Sequence, residues 1–512
     1  MAARHTDRDL FHQWEEAEER AEKWEERYKK EKQAHEQEVK ELRSQFRRDI
    51  QEIVGPLVNR INVLEGQVKE LETENEALRE DNERLKSIIN NDSNNSSQPP
   101  SGDQKPSRKK ANEYNGRENQ GRKRGGQEGH IGKCLNKANV EELIASGKVE
   151  HQIIEVDKPQ DGSGEYISKY ECDLKTVAVV REYRYYRNEK GIYNIPLKHR
   201  PDVRYGNDLR TLAVAFYNIG VMSNERIKEL LNAMSDNIWQ LSDGFVYDAI
   251  NRFSHCIGKD LESIWTDHRN KTVLQTDATF ITVGGVQSYI RCVSSARSVL
   301  YVGMDKKTIE CLKKVPVLKD YQGILVHDHE TALYHFGTGH AECNVHLLRY
   351  LTKNSQDTGN KWSDKMKSLL TKMNNERKML QRQGVTSFGE QKIVDYEKEY
   401  DTILAEGQEQ NAQTRPKWAA QDENSLLKRM RKYRENHLLF LHRFDVPFDN
   451  NLCERDLRKC KNRQKISGGF GMNSGRDMAC RILSFIETCK RRSINLLSAI
   501  RQAFSSPVLA NR

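Results

Sequence analysis

Polar and apolar positions change period several times along the chain, and each change marks an element. From about residue 8 to 90 the pattern is helical. Its clearest part is a 4-3 seam of Val54, Leu57, Ile61, Leu64, Val68, Leu71, Asn75, Leu78, Asn82, Leu85 and Ile89. Asn75 and Asn82 fall at a positions, where buried Asn favours a parallel two-stranded coiled coil in fixed register. From about 148 to 200 the stretches 150–156, 175–186 and 192–197 alternate, which predicts a small β-rich module. Residues 206–268 return to helical spacing. Ser223 would cap a helix running to Leu231, and a second helix would cover 243–253. That pair has helix-turn-helix dimensions and would set Phe245, Tyr247, Asn251 and Arg252 near a DNA groove.

The stretch 272–285 differs from everything before it. It is a run of β-branched and apolar residues with one carboxylate, Asp277, in its middle and Gly284-Gly285 at its end. Strands over 287–294 and 298–303 follow at hairpin spacing, 306–315 reads as helix, and 323–330 is a short buried strand that turns polar at Asp328. Antiparallel strands, a helix, then a strand ending in a carboxylate make the skeleton of a ribonuclease-H-like fold, with its first and fourth strands side by side. Residues 360–442 form a helical insertion, marked by the stripe Trp362, Met366, Leu369, Leu370, Met373, Leu380 and by Leu426, Leu427, Met430, Tyr433. The expected class is therefore multidomain α+β. Its parts are a coiled-coil dimerisation helix (1–90), a basic flexible arm (91–147), a β-rich, degenerate zinc-finger-like module (148–203) and a helix-turn-helix-like region (204–270). The ribonuclease-H-like α/β core follows in two pieces (271–355 and 443–512) around the insertion (356–442).

Composition narrows the class. At 36% apolar and 31% charged residues, with no apolar run of roughly 18, no membrane span is expected. The first residues lack the apolar core of a secretory signal. Ten scattered cysteines make no disulfide framework, so reduced thiols in a cytoplasm are expected. The net charge of +9 is modest, but its distribution is uneven. Arg108, Lys109, Lys110, Arg122, Lys123 and Arg124 crowd one glycine-containing tract, as contact with a polyanion requires.

The chemistry concentrates at 445–458. A helix started by Asn450-Asn451 would carry Glu454, Arg455 and Arg458 on successive turns. Glu454 set against Asp277 and Asp328 would make three carboxylates that repel one another unless divalent cations sit among them. Two Mg²⁺ ions suit such hard ligands, and Mn²⁺ would substitute. Arg455, Arg458, Lys461, Arg463, Lys465 and Arg476, with the glycines of 467–471, read as a surface that positions DNA phosphates. His340, Cys343 and His346 stand at three-residue steps. They offer zinc ligands, but no fourth ligand is evident and Cys172 has no Cys-x-x-Cys partner, so a structural role is favoured and zinc is not expected.

Together these segments resemble the insertion-sequence-66 family of bacterial transposases. The motifs are 122–130 (RKRGGQEGH), 276–279 (TDAT), 326–328 (VHD), 343–346 (CNVH), 449–458 (DNNLCERDLR) and 464–470 (QKISGGF). The resemblance implies a DDE transposase, with Asp277, Asp328 and Glu454 as its metal-binding and catalytic acids. It further implies double-stranded DNA as substrate, both element ends and target, and accessory proteins from the same element. A bacterial cytoplasmic, nucleoid-associated location follows. The chain departs from relatives in carrying Ala278 where many have Glu, and in lacking a paired-cysteine module after the basic tract. The alternatives are a non-catalytic, domesticated DNA-binding relative and a structure-selective nuclease on the same fold.

Overall fold

The computed structural model describes residues 54–92, 95–96, 136–154, 167–174 and 176–509, with backbone alone for 54–62. The helix expected before residue 54 and the cations at 108–110 and 122–124 lie outside the described residues. The chain divides into two compact units, Met1–Glu118 with Gly206–Asn224 and Gly244–Arg512, and Asn119–Tyr205 with Glu225–Asp243.

Among the described residues, fifteen α-helices and five strands follow in order. They are α1 (Val54–Ile89), α2 (Lys137–Ala145), α3 (Asn207–Asn218), α4 (Asn224–Ala233), α5 (Asp243–Cys256), α6 (Gly258–Arg269), β1 (Val273–Val283), β2 (Val286–Ser294), β3 (Val299–Met304), α7 (Ile309–Leu312), β4 (Ile324–His327) and β5 (Gly339–Glu342). Then come α8 (Asn344–Thr358), α9 (Trp362–Arg382), α10 (Glu390–Asn411), α11 (Lys417–Lys432), α12 (Arg434–His442), α13 (Asn451–Ser467), α14 (Asn473–Arg491) and α15 (Leu496–Ala503). None of the described helices is long and apolar enough to cross a membrane. The nine described cysteines are all free thiols.

In α1, Pro56 falls in the first turn, where a missing N–H costs nothing. The seam residues Leu64, Val68, Leu71, Asn75, Leu78, Asn82 and Leu85 are half-buried, while most flanking positions are exposed. The end of this helix is tied to α8: Lys353 Nζ donates to Ser87 Oγ (3.0 Å) and to Asn91 Oδ1 (2.8 Å).

The first unit is built on a mixed sheet in the order β3-β2-β1-β4-β5, antiparallel on one side of β1 and parallel on the other. Gly284 and Gly285 close the β1–β2 hairpin at φ +57° and +80°, the two left-handed positions of a type I′ turn. One face of the hairpin, with Ile281, Val283, Ile290 and Cys292, packs on Cys453, Leu457 and Cys460 of α13 and on Cys480 of α14. The outer edge of β3 is covered by hydroxyls of α14: Ser484 Oγ accepts from Tyr301 N (2.8 Å) and Thr488 Oγ1 from Val299 N (3.1 Å). The architecture is compatible with the ribonuclease-H-like core expected from the pattern, with first and fourth strands adjacent.

The insertion forms as four helices, α9 to α12, around an apolar interior of Trp362, Met366, Leu370, Tyr400, Leu427 and Met430 that is continuous with Leu347 and Leu351 of α8. At its centre Glu423 is buried but fully used. It accepts from Trp362 Nε1 (2.6 Å), Asn354 Nδ2 (3.0 Å), Asn411 Nδ2 (2.9 Å) and Thr414 Oγ1 (2.8 Å). Neutral donors satisfying a buried carboxylate make this network rigid.

The second unit corrects one expectation. No strand forms among the described residues of 148–203; one isolated bridge, Arg187 with Tyr193, and a 3₁₀ turn at Leu197–His199 stand instead. The alternating residues have no apolar surface to lie on: Ile153, Ile154 and Val180 are 76%, 82% and 80% exposed. Alternation predicts a strand only where one face is buried. The helices expected at 223–231 and 243–253 form as α4 and α5, but Phe245 is buried, so it does not face a groove.

Trp362→Ala empties the centre of the insertion and removes one donor from Glu423. It should cost about 3–5 kcal/mol, lowering the thermal unfolding midpoint by several degrees. An unchanged midpoint would show that the insertion core unfolds independently of the rest.

Candidate active site

The site starts from strand register. Parallel pairing aligns Gln275 of β1 with Val326 of β4 and ends there; Asp277 follows two residues on in β1 and Asp328 directly after β4, close enough for its charge to raise the Asp277 carboxyl. β1 leaves β4 at this point, and the freed carbonyl of Thr276 accepts from Asn450 Nδ2 (3.0 Å). Asn450 N also donates to Cys343 Sγ (3.2 Å). These two bonds fix the chain at the start of α13, whose first turn carries Glu454. A carboxylate there is favoured by the helix dipole.

The acids are joined by an imidazole. His346, in the first turn of α8, lies with Nδ1 3.0 Å from Asp328 Oδ2 and Nε2 3.2 Å from Glu454 Oε1. His346 thus bridges two carboxylates from distant segments. Arg349 Nη1 lies 3.4 Å from the same Nε2.

Each environment sets its acid differently. Burial, then the charge of Asp328, pushes the Asp277 carboxyl up to about 6, against the opposing pull of Lys307, the Ala278 N–H and Arg291. Burial also works against the Glu454 carboxylate. The hydrogen bond and charge of His346, with the charges of Arg349 and Arg458, outweigh it and hold Glu454 below its ordinary value. Asp449, one turn earlier, is pushed up by burial and by Glu454. The buried Cys343 thiol is pushed well up, by burial first and then by Asp328, Asp449 and Glu454.

Hard carboxylates, one raised by its neighbour's charge, suit a divalent cation in their chemistry, but the three acids are not a group whose ligand atoms lie within 4.8 Å of one another. Cys343, His346 and Glu454 are such a group. The expected trio of His340, Cys343 and His346 is therefore split. His340 sits on β5, with Nδ1 3.3 Å from His327 Nε2, while the other two join the acids.

The expected phosphate surface is only partly solvent-facing. Arg455, Arg458 and Lys465 are exposed. Lys461 lies over the Phe280 ring (3.4 Å) and donates to the Phe280 carbonyl (3.2 Å). Arg463 lies over Tyr217 (4.1 Å). Arg476 is a correction: it is 4% exposed, bound to Ser288 Oγ (2.6 Å), Asp305 (2.9 Å) and Asp477 (2.9 Å), and so ties α14 to the sheet. The glycines after α13 serve the fold as well. Gly469, at φ +130°, lets the chain return to the tip of β1, where Phe470 N donates to Thr282 O (2.9 Å); a Cβ at 469 would lie 2.3 Å from that oxygen.

Three neighbours were not anticipated. Arg291, fully buried in β2, donates to Thr276 Oγ1 (3.1 Å) and pairs with Glu330, which Lys307 approaches at 3.7 Å. An arginine inside an apolar strand is itself a signal, because buried arginines are paired. The third is Glu342, buried at the end of β5. It accepts from Tyr334 Oη (2.7 Å), pairs with Arg429 (3.0 Å) and His437 (3.0 Å), and contacts His329.

A family model described as "Transposase IS66 family" matches residues 204–478, just over half of the 512. Uncharacterized protein y4jO of Sinorhizobium fredii (strain NBRC 101917 / NGR234) is 33% identical over 75 residues, which is 15% of this chain and 23% of that protein. The chain thus matches less than a quarter of that relative's length. No solved structure matches.

The Asp277 environment has a consequence for stability. A carboxyl whose folded pKa is raised from 3.8 to about 6 is a burden only when ionised. The penalty is absent below about pH 4, grows up to about 6 and stays above it. Asp277→Asn should therefore stabilise the metal-free protein near neutral pH by on the order of 1–2 kcal/mol, after allowance for solvent screening. Near pH 4 it should change little. Denaturant unfolding at the two pH values checks this, and equal effects at both would refute the electrostatic cause.

Proposed function

This chain belongs to the IS66 family of transposases, and from that premise we propose that it binds the ends of an insertion sequence and carries out Mg²⁺-dependent strand cleavage and strand transfer. Asp277, Asp328 and Glu454 are the acids that hold the metal. One observation supports this reading: Asp328 and Glu454, from distant segments, share His346, and Asp277 lies close enough to Asp328 to be raised by its charge. A pair of Mg²⁺ ions, or Mn²⁺, bound there would activate an attacking oxygen and stabilise a leaving one.

The chain's own groups prepare that chemistry. His346 holds Asp328 and Glu454 at fixed separation, and Arg349 and Arg458 favour the ionised form of Glu454. Arg455, Arg458 and Lys465 grip phosphates without reading bases. Water attack at the element end frees a 3′-hydroxyl, and that hydroxyl attacks target DNA. No covalent enzyme intermediate is required. Two ends must be cut in concert, and a parallel dimer through the α1 seam would hold them together. Accessory proteins of the same element and a place at the bacterial nucleoid belong to the same reading.

Asp277→Asn should bind end DNA as the parent does and fail to nick it in Mg²⁺; nicking at the parental rate would sink the assignment. Glu454→Gln should behave likewise, and Asp449→Asn should retain most activity. Replacing Leu71 and Leu78 by Asp should shift the protein from dimer to monomer in sedimentation. A parental sedimentation profile would remove the coiled coil from the reading.

A further inference from the structure

The insertion carries a feature that packing does not use. Lys428, Arg431 and Lys432 stand at i, i+3 and i+4 on α11, all exposed, and none forms an ion pair among the described residues. Like charges at this spacing weaken a helix. The helix dipole favours cations in a last turn, but by a fraction of a kcal/mol, and it does not require three on one face. Elsewhere on the insertion exposed lysines do have partners: Lys365 with Glu406 and Lys372 with Glu399 (3.8 Å).

The position of this face is fixed by its neighbours. The adjoining line of the helix, Arg429 and then Tyr433, runs to the catalytic strands. Arg429 pairs with Glu342 (3.0 Å) at the end of β5 and lies over the Tyr350 ring (5.0 Å). The Tyr433 ring meets His329 edge-on at 4.7 Å, and His329 is the residue after Asp328. Glu342 is also held by Tyr334 and His437, so α11 is anchored to the strand ends rather than swinging free. Lys432 rests 5.1 Å from the Tyr433 ring centroid. The unpaired cations therefore stand on a helix whose adjoining line meets the strand ends through Arg429 and Tyr433, a different element from that of Arg455 and Arg458.

We propose that Lys428, Arg431 and Lys432 form a second phosphate track, which takes the backbone of the duplex DNA leading away from the catalytic acids. This rests on the reading above and extends it to the insertion. Contacts of this kind are independent of base sequence, and each neutralised phosphate contributes about 0.9 to the slope of log affinity against log salt.

The test is fluorescence anisotropy of the full chain with a labelled duplex of arbitrary sequence, without divalent metal, across a salt series. K428A/R431A/K432A should lower the slope by about 2–3 and weaken binding at low salt by about tenfold or more. K428R/R431K/K432R should restore the parental slope. Lys398→Ala, an exposed cation on α10, should leave it unchanged. A triple-alanine variant with parental slope and unfolding midpoint overturns this proposal, as does an equal loss in Lys398→Ala. Failure of the parent chain to bind duplex at all would instead overturn the transposase reading itself.

Discussion

Two carboxylates brought close where the parallel strands β1 and β4 part are the constraint to which the site answers. Asp277 lies two residues past the last β1–β4 pair and Asp328 directly after β4, so the pairing of these strands keeps the two acids near each other. Their repulsion is therefore built into the sheet. The surroundings reduce it from several sides: His346 approaches Asp328, while Lys307 and Arg291 favour ionised Asp277 from the other direction. Arg291 and Lys307 are themselves balanced by Glu330. The resulting balance is incomplete, as the raised Asp277 shows, and an incomplete balance is what leaves room for a cation.

The third acid is held differently, through the insertion. Arg377 of α9 is buried and donates to the carbonyls of Val446 (2.8 Å) and Phe444 (3.4 Å), and Gln381 donates to Phe444 (2.7 Å). Further on, Asn344 N pairs with the Phe448 carbonyl (3.0 Å). The chain is thus guided, carbonyl by carbonyl, to Asn450 and the start of α13. Phe444 and Phe448 belong to the same apolar cluster as Trp362 and Leu370. The insertion therefore shares its interior with the segment that delivers Glu454, and it cannot be treated as an appendage.

Much of this was legible in the sequence. The strand expected at 272–285 forms at Val273–Val283 with its Gly-Gly turn, and the insertion stripes mark the residues that are buried. β5 was missed because Gly339–Glu342 is four residues long, with two polar side chains and no alternation of its own. Its pairing with β4 decides its state, not its propensity. The 148–203 segment erred in the opposite sense: a correct alternation with nothing to pack on. Residue type also could not separate Arg476 from Arg455. Both are cations beside a glycine-rich loop, and only the carboxylates of Asp305 and Asp477 make one of them internal. His346 was visible as a histidine near a cysteine, but its two carboxylate partners come from segments far away in the chain.

The covered edge of β3 has a further consequence for how copies of this chain can meet. Ser484 and Thr488 occupy the outward amides of Tyr301 and Val299, so on that side the sheet has no free ladder to offer. Strand-to-strand joining across this edge, a common route to runaway polymers, is closed off by two hydroxyls. Copies of this chain can thus be crowded without fusing their sheets through β3.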